Sequence, residues 1–186
     1  MVKKAPLQKW GFCDHVRIGL FGLEFFCYHN HIFMKIYLGS DHGGFKLKEQ
    51  FKQYLLSPHA ELATEDCGAL VFEPNDDYPP IAWQVAQQVA KQTDNALGVL
   101  FCRTGAGMVI VANKVKGIRA VELNDLAIAV QAKSHNHANV IAFGGDNLSF
   151  VNLIDLFETF LRTPFDLDPR HQRRLEQINH YEKVNS

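Results

Sequence analysis

Cysteine is scarce in this chain and badly spaced for cross-linking. Cys13, Cys27, Cys67 and Cys102 include no Cys-x-x-Cys pair, which argues against a disulfide framework or a zinc–thiolate site and for a reducing, cytoplasmic setting. Net charge is nearly absent as well. With 19 Lys and Arg against 20 Asp and Glu, the chain offers no global attraction to nucleic acid or to an anionic membrane. No apolar run is long enough to span a bilayer: the stretch from Val16 to Cys27 is short and broken by Arg17 and Glu24. A secretory leader fits no better, since Lys9, Asp14 and Arg17 interrupt any apolar region and no small-residue cleavage site follows. Metal motifs are missing too. The nine histidines form no His-Glu-x-x-His pair, and His29, His31, His135 and His137 are only loosely grouped, so no metal or other cofactor is expected.

What is present suits one soluble domain. At 186 residues a single full core is comfortable and two would be cramped. The chain changes character at Met34. Before it, Trp10, Phe12, Phe21, Phe25, Phe26, Tyr28 and Phe33 form an aromatic patchwork without a sustained period. Residues 1–33 read first as sequence upstream of a natural start at Met34, and second as an oligomerisation arm. From Met34 the pattern alternates. Apolar strands are expected over 35–39, 61–66, 96–102, 117–121 and 139–143, the third and fifth apolar enough to be covered on both faces. Helices are expected over 45–56, from the Asp76-Asp77-Tyr78-Pro79-Pro80 segment to about 92, over 108–114, from an Asn124 cap to about 134, over 148–162 and over 169–183. Strands alternating with helices predict a single doubly wound, Rossmann-like α/β domain over 34–186, a parallel sheet with helices on both faces.

In such folds ligands bind beyond the carboxyl ends of the strands. Two strand ends carry reactive groups: Asp41-His42 in the loop Ser40-Asp41-His42-Gly43-Gly44, and Cys102 before Arg103-Thr104-Gly105-Ala106-Gly107. A glycine turn opening a helix exposes backbone N–H groups to an anion, and the same field is expected to lower the Cys102 pKa and favour a thiolate. A lone buried cysteine is usually an inert small hydrophobe. The coincidence of the two strand ends with two glycine turns is what favours chemistry. His135, in Ser134-His135-Asn136-His137, ends a helix before a strand and should lie at the opposite edge of the sheet. It is then either structural or a contribution to a neighbouring subunit's site. Arg170 and Arg174 share a helix face near an N-terminus and could grip one phosphate. A solvated basic face is the ordinary alternative, and RNA binding fits poorly without interleaved aromatics.

The segment from Met34 to about Tyr181 resembles the family of ribose-5-phosphate isomerase type B and galactose-6-phosphate isomerase. The resemblance is carried by Gly39-Ser40-Asp41-His42-Gly43-Gly44-Phe45-Lys46-Leu47-Lys48, Asp77-Tyr78-Pro79, Cys102 with Thr104-Gly105-Ala106-Gly107, and Ala112-Asn113-Lys114. Gly117-Ile118-Arg119-Ala120, His135-Asn136 with Asn139-Val140, and Arg170-His171-Gln172 complete it. It implies metal-free aldose–ketose isomerisation of a phosphorylated sugar through an enediolate, with D-ribose 5-phosphate and D-ribulose 5-phosphate the first pair to expect. By the same resemblance Cys102 is the base moving a proton between C2 and C1. Thr104 and His135 assist ring opening, with His135 coming from the partner of a homodimer that could pair into a tetramer. The N–H groups around Gly105 and Gly107 stabilise the enediolate oxygen, and Asp41 and Asn136 contact hydroxyls. His42, Arg170 and Arg174 hold the phosphate, with His171 beside them.

Two positions depart from that family pattern. Arg103 stands where a glycine is usual, and Asp146, after Phe143-Gly144-Gly145, stands where many members carry a phosphate-binding arginine. Either Arg103 joins the substrate-binding set in a rearranged pocket, or it points to solvent. Two other classes compete with an isomerase. A non-catalytic sugar-phosphate sensor has no need of a thiol base, and a thiol hydrolase needs a histidine activating Cys102 within one site.

Overall fold

The computed structural model describes residues 34–56, 62–92, 95–146 and 148–184. The reading of residues 1–33, including Cys13 and Cys27, lies outside the described residues. Five parallel strands form one sheet: β1 (Lys35–Ser40), β2 (Ala63–Asp66), β3 (Ala96–Cys102), β4 (Ala120–Glu122) and β5 (Val140–Gly144). Their spatial order is β2-β1-β3-β5-β4, so the winding reverses between β1 and β3. β1 and β3 pair from Lys35 with Ala96 to Ser40 with Phe101, and β3 meets β5 up to Cys102 with Gly144.

Alternating side chains along each strand divide the core into two layers. Ile36, Leu38, Val99, Phe101, Ile141 and Phe143 face one side, where α1 (Phe45–Leu55), α4 (Leu126–Ser134) and α5 (Phe150–Arg162) cover them. This layer holds the large aromatics: Phe51 of α1 packs edge-on against Phe157 of α5 at 4.8 Å and lies 5.4 Å from Phe101. Tyr37, Leu100, Cys102, Val140 and Ala142 face the other side, beneath α2 (Tyr78–Ala90) and α3 (Ala106–Ala112). Ala82, Val85, Ala86, Val89 and Ala112 keep these two helices close to the sheet. The doubly wound α/β architecture expected from the sequence is therefore observed.

Several boundaries differ from expectation for local reasons. The fourth strand begins at Ala120 rather than Gly117, because Gly117 adopts φ +82° in a turn closed by Ile118 N–H to the Val115 carbonyl. The cap of α4 is Asp125, whose Oδ1 accepts from Ile128 N–H, not Asn124. Helix α3 starts at Ala106 and ends at Ala112, two residues earlier at each end, since Gly105 with φ +82° turns the chain directly into it. Ser149 caps α5 through Asn152 N–H, setting its start at Phe150. The last helix, α6 (Pro169–Val184), buries only His171. It runs along the N-terminal edge of the sheet, where Glu182 accepts from Gly117 N–H.

Candidate active site

The loops after β1 and β3 meet at the point where the winding reverses. Gly44 makes this possible: a Cβ there would lie 2.2 Å from the Phe101 carbonyl carbon and 2.5 Å from the Cys102 nitrogen. Only glycine lets the first loop close down on the end of β3. Asp41 organises that loop, its Oδ1 accepting from Gly44 N–H at 3.0 Å. Its other oxygen, Oδ2, accepts from the Cys102 thiol at 3.0 Å. Both residues are buried, at 4% and 8% exposure, so their contact is shielded from solvent.

That contact overturns one expectation. Burial and the Asp41 carboxylate push the Cys102 thiol above its ordinary pKa, while N–H groups of Gly105 and Arg103 pull the other way and lose. In the free protein Cys102 is therefore a protonated thiol donating to Asp41, not a preformed thiolate. A thiol with a raised pKa is the stronger base once its proton has left.

The remaining groups at this edge come from four loops. His42 is turned toward Asp76, which accepts from its backbone N–H at 2.8 Å and lies 2.7 Å from its Nδ1. The Asp76 hydrogen bond raises the His42 pKa and leaves Nε2 as the other ring nitrogen. The second oxygen of Asp76, Oδ2, is buried without a hydrogen-bond partner. Thr104 is exposed beside Cys102. Gly105 turns the chain, and Gly107 lies under the Tyr78 ring, where a Cβ would come within 2.8 Å of Cζ. Arg103 reaches Asp146 with Nε at 3.3 Å, so the two departures from the family pattern face each other.

The structure does not bring the other expected residues to Cys102. His135 follows α4 at the start of β5, while Gly144 beside Cys102 ends it; four residues of strand, about 13 Å, separate these edges. There the His135 ring lies 4.2 Å from that of His171. His171 Nδ1 is 3.2 Å from Asp166, and donor atoms of His135, Asp166 and His171 lie within 4.8 Å of one another. Arg170 donates from Nε to His171 Nε2 at 3.2 Å and pairs with Asp168 at 3.2 Å. Asp168 also accepts from Arg170 N–H at 2.8 Å, so a carboxylate already answers the α6 N-terminus where a bound anion was considered. Arg174 is exposed, and Asn136 lines an open groove with Ile118, Ile178 and Tyr181.

Sequence reasoning missed Asp76 and Asp166, which carry no motif signal; Asp76 meets His42 from 34 residues away, and Asp166 meets His171 in the first turn of α6. Conversely, two motif residues serve the fold. Asn113 clamps Ala120 with a pair of hydrogen bonds at 2.8 and 2.9 Å. Asn139 likewise joins Arg119 N–H and the Gly117 carbonyl, each at 2.8 Å.

A doubly wound sheet with polar and thiol side chains gathered where its winding reverses is the arrangement in which α/β folds bind small ligands. The family follows from similarity. The Ribose/Galactose Isomerase family matches residues 36–178, and the chain belongs to that family of sugar-phosphate isomerases. It is 37% identical over 148 residues to the probable ribose-5-phosphate isomerase B of Mycoplasma genitalium, covering 80% of this chain and 95% of the relative. The structure of ribose-5-phosphate isomerase B from that organism with bound ribulose 5-phosphate superposes with a TM-score of 0.76, covering 81% of this chain and 97% of the other. The type B enzyme of Trypanosoma brucei, 38% identical, gives 0.73 over 80% of this chain and 98% of its own. Among the described residues, no helix is long and apolar enough to cross a membrane.

Proposed function

We propose that this protein interconverts D-ribose 5-phosphate and D-ribulose 5-phosphate, with Cys102 as the base. The observation that carries the reading is the buried thiol 3.0 Å from the Asp41 carboxylate at the switch point of the sheet. After ring opening the Cys102 thiol passes its proton to Asp41. The thiolate takes the proton from C2 and delivers it to C1, and the O2 hydroxyl proton moves to O1 as C2 becomes the carbonyl. The oxygen that gains charge meanwhile meets the turn N–H groups around Gly105 and Gly107. Removing one such donor typically costs about 2.7–4 kcal/mol of barrier. Asp41 contacts the sugar hydroxyls, and His42, whose pKa the Asp76 hydrogen bond raises, faces the phosphate.

Thr104 assists ring opening in this scheme together with His135 of a second copy. Two features support a second copy. His135, Asn136, Arg170, His171 and Arg174 stand at the edge remote from Cys102, so one chain alone cannot assemble the set. Helix α6 also exposes Ile178, Tyr181 and Val184, apolar surface suited to burial in a homodimer.

The test is proton NMR of ribose 5-phosphate in D2O with the protein and its Cys102→Ala variant. Loss of the C2 proton signal with ribulose 5-phosphate appearing, absent in the variant, is the expected outcome. A folded wild-type protein that exchanges no proton would sink this substrate assignment.

A further inference from the structure

We infer that Arg103 and Asp146 act as one unit that binds the substrate phosphate, Arg103 touching it and Asp146 positioning Arg103. This rests on the sugar-phosphate reading of the site. The two residues are joined twice: Asp146 N–H donates to the Arg103 carbonyl at 3.0 Å, and Arg103 Nε donates to Asp146 Oδ2 at 3.3 Å. Gly145 N–H ties the same turn to the Cys102 carbonyl at 2.8 Å. The guanidinium is thus held from its Nε side, with its terminal N–H groups in a side chain that is 67% exposed.

The stem of Arg103 is equally fixed. It lies across the first loop, so that a Cβ on Gly43 would fall 2.2 Å from Arg103 Cγ. This lays the cation over the loop that carries Asp41 and His42, next to the residue bearing the thiol. No other arginine among the described residues reaches this edge. Arg119 precedes β4, Arg162 closes α5, and Arg170, Arg173 and Arg174 belong to α6, all on the opposite edge. Within one chain, Arg103 is the guanidinium available to a phosphate whose sugar lies at Cys102. The planar fork offers paired N–H groups that match phosphate oxygens.

Asp146 has an opposite effect once its partner is gone. Beside Arg103 it is neutralised and directs the fork; without Arg103 it is a bare carboxylate facing a phosphate dianion. The pair therefore predicts a change of sign that a merely structural salt bridge does not. The variants are Arg103→Met, which keeps an aliphatic stem on Gly43, Asp146→Asn, and both together. The readouts are KM and kcat for ribose 5-phosphate, and the dissociation constant of inorganic phosphate by calorimetry.

Arg103→Met should raise KM and weaken phosphate binding by about tenfold or more, changing kcat far less, since the lost contact is a charge-assisted one remote from the reacting carbons. Asp146→Asn alone should weaken both only a few-fold, as expected for an exposed pair (~0.2–1 kcal/mol). The double variant should bind phosphate more tightly than Arg103→Met. Arg103→Met within about twofold of wild type in both readouts overturns the role of Arg103. A double variant no better than Arg103→Met overturns the coupling. Should wild type fail to isomerise ribose 5-phosphate while phosphate binding follows this pattern, the substrate assignment fails and the pair stands.

Discussion

At Cys102, two environments compete for one proton. Burial and the neighbouring Asp41 carboxylate favour the neutral thiol, and the N–H groups of Gly105 and Arg103 favour the thiolate. The first two dominate, so the thiol ionises above the ordinary cysteine value of about 8.5. Mass-resolved alkylation at Cys102 should accelerate through a limb above that value as pH rises. In Asp41→Asn the limb should move to lower pH, because one of the two causes holding the proton has been removed. An unmoved limb would assign the whole shift to burial. Cys67 is an internal comparison, pushed to about 11 by burial with Glu65 and Asp66 nearby. The glycine turn was legible in the sequence and its effect was not, since the competing carboxylate arrives from 61 residues away.

The first helix is tied to the end of β2 and the loop after it through a buried lysine. Lys48 of α1 is fully buried, and its Nζ reaches both Asp66 oxygens at 2.8 Å and the Gly68 and Ala69 carbonyls at 3.1 and 2.6 Å. Four acceptors satisfy a charge that would otherwise be prohibitive to bury. Lys48→Ala leaves the Gly68 and Ala69 carbonyls without their lysine donor, while Lys52 still pairs with Asp66, and should destabilise the fold by about 1–3 kcal/mol in urea unfolding. Burial works against ionisation of Asp66, yet Lys48, Lys52 and Gly68 N–H together hold its pKa below the usual range. A lowered folded pKa contributes stability above the unfolded value, about 3.9, and loses it as pH falls through the folded one. Urea stability should therefore fall on acidification below about pH 4, and less steeply in Asp66→Asn. The amphipathic stripe of α1 was readable from sequence; a lysine inside that stripe was not, because its partners lie on β2 and the following loop.

For the whole molecule the decisive separation is between the two edges of the sheet. Cys102 and His135 cannot serve one site within one chain, and the proposed homodimer makes a sharp prediction. Cys102→Ala and His135→Ala homodimers should each be inactive or nearly so. Mixed and exchanged, they form heterodimers in which one site carries both changes and the other carries neither. Activity should then return toward about a quarter of wild type, from the twofold symmetry of such a dimer. No recovery after subunit exchange has been verified by mass would overturn the shared site, and a fully active His135→Ala homodimer would remove His135 from the reaction.

The sequence by itself determined the alternation of strands and helices, the parallel sheet, and the two glycine turns that flank the thiol. Those features are local: periodicity, glycine conformation and burial are written in neighbouring residues. It also determined that His135 belongs to the edge away from Cys102, because alternation fixes which end of a strand each connection occupies. Only the tertiary structure decided that Cys102 is a thiol donating to Asp41, that Asp76 takes His42, that Lys48 is buried on Asp66, and that Arg103 faces Asp146. Each of these joins charged or polar groups far apart in the chain, and their energies depend on distance and solvent exclusion, which no linear pattern records.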